Sequence, residues 1–92
     1  MSGTVRVSGH LRCAPEEIDM VHEMLPEHIR LTRAETGCLS FEVTQDPGDP
    51  CRWNLSESFR DMAAFEAHRT RTAASDWGRR TAHLHRDIRV DP

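Results

Sequence analysis

From Thr4 to Arg12 the chain alternates, with Val5, Val7 and Leu11 on one side and Arg6, Ser8, His10 and Arg12 on the other. A period of two predicts a strand with one buried face. Gly9 falls on the apolar side, where a missing side chain leaves room. Pro15, Glu16 and Glu17 then open a helix, because proline is preset for a first turn and carboxylates suit the positive helix end. Ile18, Val21, Leu25, Ile29 and Thr32 recur at helical spacing. Pro26 interrupts that run and predicts two helical segments rather than one rod. Gly37 is placed as the helix C-cap.

Cys38 to Gln45 alternates again, with Leu39, Phe41 and Val43 facing one way. The run Asp46-Pro-Gly-Asp-Pro50 is a turn. It is followed by Arg52–Phe59, which carries Trp53, Leu55, Glu57 and Phe59 on one face, so the two strands make a hairpin. A second helix is predicted from about Asp61 to Thr72, with Met62, Phe65 and His68 inward. A short helical piece over 75–81 carries Trp77. The last strand places Leu84, Ile88 and Val90 on one face and His83, His85, Asp87 and Arg89 on the other. The order β-α-β-β-α-β is the ferredoxin-like pattern of an α+β domain: four antiparallel strands with both helices on one face. Residues 1–92 read as a single domain.

Composition narrows the chemistry. All twelve cations of the 92-residue chain are Arg, and it contains no Lys and no Tyr. That removes Schiff-base catalysis, covalent pyridoxal phosphate and any phenolic acid or radical. A net charge of −3, with Arg dispersed among acids, leaves no basic stripe for nucleic acid. No stretch is long and apolar enough for a membrane span, and the polar start is not a signal peptide. Cys13, Cys38 and Cys51 fit neither a disulfide framework nor a CxxC zinc site, which suits free thiols in the cytoplasm. Cys13 and Cys38 are expected at one sheet end, roughly 10 Å apart across a strand, with Cys51 at the other. Apolar residues make up only 37%. A chain this short buries about 60% of its surface, so a second copy is expected to cover part of the rest.

Three groups of residues are candidates for chemistry. Glu57 takes an apolar-face position between Leu55 and Phe59, and burial would raise its pKa towards that of a general acid or base. The same position also suits a structural ion pair tying helix to sheet. His68 lies at the rim of the inward helix face, as a proton acceptor, as a holder of Glu57, or as a core histidine bonded to backbone. His83 and His85 share a strand face that His10 approaches from the neighbouring strand, either as a facial metal triad or as a polar sheet face. Phe41, Phe59, Phe65 and Trp77 read as core, or as the walls of a flat apolar pocket between sheet and helices.

The run Thr32-Arg-Ala-Glu-Thr-Gly-Cys-Leu-Ser-Phe-Glu-Val43, followed by Trp53-Asn-Leu-Ser-Glu-Ser-Phe-Arg-Asp-Met-Ala-Ala-Phe-Glu-Ala-His68, resembles the antibiotic biosynthesis monooxygenase (ABM) family. The small quinol monooxygenase-like members are the nearest match. The resemblance implies a ferredoxin-like protomer that pairs sheet to sheet as a dimeric α/β barrel, with a pocket in each protomer. It implies oxygenation of a small hydroxyaromatic or quinol by O2, with no metal, flavin or other cofactor. Glu57 and His68 take the positions of the family's Glu and His, and Phe41, Phe59, Phe65 and Trp77 would hold the ring. The chain lacks the pocket Tyr of other relatives. Arg6 and Arg52 against Glu42 of a second copy would make the seam a charged one. Two other classes stay open on the residues alone: a non-catalytic small-molecule-binding module, and a metal protein using His10, His83 and His85.

Overall fold

The computed structural model describes residues 3–92. Strand β1 (Val5–Arg12) leads through a 3-10 turn (Pro15–Glu17) into helix α1 (Ile18–Arg33). Strands β2 (Cys38–Asp46) and β3 (Asp49–Phe59) form the hairpin. Helices α2 (Met62–Ala74) and α3 (Asp76–Thr81) precede strand β4 (His85–Asp91). The strands make one sheet in the order β2-β3-β1-β4, every neighbouring pair antiparallel. This is the ferredoxin-like arrangement. Among the described residues no helix is long and apolar enough to cross a membrane.

The register explains why a carboxylate lies inside. Val7 pairs with Glu57, Phe41 pairs with Glu57 from the other side, and Val90 pairs with Val7. Glu57 therefore stands in a cross-sheet row of apolar side chains, all on the helix-covered face. The core itself is in two parts. One cluster gathers Leu11, Val21, Leu25, Trp53, Trp77 and Leu84, and the other Val5, Val7, Phe59 and Phe65. Asp61 starts α2 by accepting a hydrogen bond from the Ala64 amide, and Ser75 caps α3 through the Gly78 amide.

Several expectations change. Helix α1 is one continuous element with Pro26 inside it. Pro26 and His22 are both exposed, so the carbonyl that loses its amide partner belongs to the solvent side of the helix. The buried stripe Val21, Leu25, His28 and Thr32 holds both halves in line. Its third member is His28; the predicted Ile29 is only partly buried. Met62, predicted inward, is exposed.

Gly37 has no left-handed backbone and does not cap α1. It is small because a Cβ there would come within 2.3 Å of the Ala64 Cβ, where the loop crosses the start of α2. Gly9, with φ +141, leaves no open space either: a Cβ would sit 2.0 Å from the Asp87 carbonyl oxygen of β4. Cys13 and Cys51 lie at the same sheet end, joined by a 2.9 Å backbone hydrogen bond, and Cys38 pairs with Phe59 at the other. Two antiparallel pairings make β1 and β2 run parallel, which puts the end of one far from the start of the other.

Candidate functional site

Helix α2 turns Phe65, His68 and Thr72 to one side, and strand β3 lifts Glu57 towards them. His68 is the centre. Its Nδ1 lies 3.1 and 3.2 Å from the two carboxylate oxygens of Glu35, in the loop after α1. Its Nε2 lies 3.7 Å from Glu57 Oε1. Both His68 and Glu57 are buried. Arg71, one turn along α2, donates from Nε to Glu35 at 2.5 Å and from Nη2 to Thr32 Oγ1 at 2.8 Å. Thr32 in turn donates to the His28 carbonyl. The loop carboxylate is thus fixed by α1 and α2 together, and it fixes the ring.

Electrostatics follow from this geometry. Burial, and then repulsion from Glu35, push the Glu57 carboxyl up to about 7. Burial lowers His68, against the opposing pull of its Glu35 hydrogen bond and charge. The pair is therefore driven towards a neutral acid and a neutral imidazole, not towards an ion pair. With Nδ1–H donated to Glu35, the lone pair of His68 belongs to Nε2, on the Glu57 side. A protonated carboxyl beside a bare imidazole nitrogen is a matched acid and base.

The cavity around them measures about 770 Å³ and is lined by Phe41, Glu57, Phe65, His68 and Trp77 among others. Phe59 is not on its wall: fully buried, it backs His68 with ring centroids 5.0 Å apart and packs on Phe65. Glu66 and Arg69 of α2 and Ile88 and Val90 of β4, all exposed, stand at its rim. His28 stacks on Trp77 at 5.0 Å, meets Phe41 edge-on at 5.4 Å, and lies 6.1 Å from His68 between ring centroids.

The proposed histidine triad is not assembled. His10 and His85 are 6.3 Å apart between ring centroids, but His83 precedes β4 and contacts Glu17 Oε2 at 2.5 Å. A strand beginning at His85 gives His83 no share of the sheet face. Among the described residues no three His, Cys, Asp or Glu side chains gather to hold a metal.

Sequence reasoning passed over Glu35, Arg71, His28 and Thr72. His28 and Thr72 carry periodic signals, the 4-3-4 spacing of Val21, Leu25, His28 and Thr32 and the 3-4 spacing of Phe65, His68 and Thr72. Glu35 stands in the Glu-Thr-Gly-Cys stretch of the run that resembles the family, and nothing in its spacing marks a contact with α2.

Residues 4–80 match the model of the antibiotic biosynthesis monooxygenase family. The chain belongs to that family. An ABM structure described as antibiotic biosynthesis monooxygenase is 28% identical with TM-score 0.74, covering 95% of this chain and 93% of its own. PA3566 from Pseudomonas aeruginosa is 25% identical with TM-score 0.75, covering 99% and 92%. Rv0793 from Mycobacterium tuberculosis, at 21% identity and TM-score 0.77 over 98% and 94%, shares the fold of this ABM protein. No curated protein matches the chain.

Proposed function

We propose that this ABM protein is a monooxygenase that draws a small hydroxyaromatic or quinol into the cavity and oxidises it with O2, the substrate supplying the electrons, with no cofactor. The observation that supports this most is the buried His68 held between Glu35 and Glu57 on the wall of an aromatic-lined cavity.

His68 Nε2 takes the phenolic proton, and Glu35 stabilises the imidazolium that forms. The electron-rich anion reduces O2 by one electron, and the radical pair collapses with a new C–O bond to a peroxide, which His68 reprotonates. His68 then removes the proton on the oxygenated carbon. The O–O bond breaks, and hydroxide leaves as water with the Glu57 proton, which His68 restores. A phenol with a free para C–H and O2 give a quinone and water. The apolar walls keep bulk water from the peroxide.

The test is oxygen uptake by the protein against hydroquinones and polycyclic phenols, with autoxidation subtracted. His68→Ala is expected to lose about 10²- to 10⁴-fold in turnover while keeping the fold, read as an unchanged far-UV circular dichroism spectrum. Unchanged turnover in that variant would overturn the role of His68. Saturable binding with no uptake across the panel would mean a binding module.

The same family membership supports a homodimer paired through the uncovered sheet face. Arg6 and Arg52 of one protomer would meet Glu42 of its partner, since that face carries both signs and complements itself. Three free thiols suit a reducing compartment such as the cytoplasm.

A further inference from the structure

Among the described residues two buried side-chain polar atoms lack any hydrogen-bond partner: His28 Nδ1 and Thr72 Oγ1. Both residues line the same cavity, on the α3 side of His68. Thr72 follows His68 by one turn of α2, and His28 reaches in from α1 on the face of Trp77. A buried polar atom without a partner costs about 1–3 kcal/mol, and proteins carry few of them. Finding both in one wall is not what packing alone would leave.

We propose that His28 and Thr72 form a second polar subsite, which binds a neutral oxygen substituent of the substrate while His68 engages the first oxygen. This rests on the reading of the cavity as a hydroxyaromatic site and narrows it to rings bearing two oxygens. Chemical complementarity singles out a hydroxyl. The imidazole accepts from its O–H, and the threonine hydroxyl donates to its oxygen. Burial, reinforced by the charges of His68, Arg71 and Arg86, lowers His28 to about 3, so it stays uncharged at neutral pH. The imidazole and the hydroxyl are both uncharged, and Arg86, the cation on the same wall, is turned to Thr81 and Leu84, to which it donates three hydrogen bonds. The groups that face the ligand at this subsite therefore select for a neutral oxygen.

The test compares 1-naphthol with 1,5-dihydroxynaphthalene, titrated under argon by calorimetry, so that neither oxygen uptake nor turnover enters the reading. The wild-type protein is expected to bind the diol about tenfold more tightly, the gain from one well-made hydrogen bond. Thr72→Val, which keeps the side-chain shape, and His28→Gln should each reduce that preference, read as the ratio of the two affinities within each variant. Equal affinities in the wild type would overturn the proposal, as would a preference that survives in Thr72→Val, whose folding is not in question. A retained diol preference with no oxygen uptake in air would instead fault the oxygenase reading and leave the subsite standing.

Discussion

Burial holds Glu57 and His28 uncharged from opposite ends of the pH scale. Glu57 is raised from 4.5 to about 7, so the fold keeps a proton that the unfolded chain has released. Its contribution to stability is full below pH 4.5 and is lost as pH rises to 7, a change of about 3 kcal/mol. Glu57→Gln, which mimics the protonated form, should therefore melt higher than the wild type at pH 8, with that advantage gone at pH 4. Melting curves of the two proteins at both values check this; an equal advantage at both would mean that Glu57 is not titrating. His28 works in the other sense, losing stability as pH falls from 6.5 towards 3, but it is present in both proteins and cancels. Turnover that needs the Glu57 proton should decline above pH 7 in the wild type. At this scale Glu57 and His68 were legible because each occupies a position where the period calls for an apolar residue. Glu35 was not, since a loop has no period. Arg71 meets it only across 36 residues of chain.

A helix with an internal proline looks divided when read from its own sequence. Helix α1 is whole because the cost of Pro26 falls on its wet side, while the four buried side chains opposite do not interrupt. Pro26→Ala should restore the bond to the His22 carbonyl and stabilise the protein by about 1–3 kcal/mol. Denaturant unfolding would show it as a higher midpoint at constant slope. No gain would mean that the proline's restriction of the unfolded chain offsets the lost bond. The strands were more legible than the helices, because alternation and the Pro-Gly turn fix most of their faces and the hairpin pairing; Leu39, set beside Phe41 and Val43 by alternation, is exposed where the register shifts between Cys38 and Ser40. The role of Gly37 was hidden for a reason that belongs to this scale: its neighbour Ala64 comes from another helix.

At the level of the whole molecule, the element order led directly to the sheet order and the covered face. The placement of the thiols did not follow, because it depends on which strands run parallel after two successive reversals. The uncovered face bears Arg6, Arg12, Arg52 and Arg89 with Glu42 and Asp87, and β4 is exposed along its whole length. If a second copy covers this face through those charges, sedimentation at micromolar concentration should give a dimer that dissociates as salt rises. Arg52→Glu should weaken it further, by setting like charge against Glu42. A monomer at all salt concentrations would exclude the sheet-to-sheet pairing.

Leu11 and Trp77 of one apolar cluster and Val7 and Phe65 of the other also line the cavity, so part of what holds the chain together is also what it works with. A lineage of such proteins can freely recast only the residues that serve one of the two purposes. Phe41, Thr72 and His28 line the cavity and belong to neither cluster, which makes them the first positions for an engineer to change.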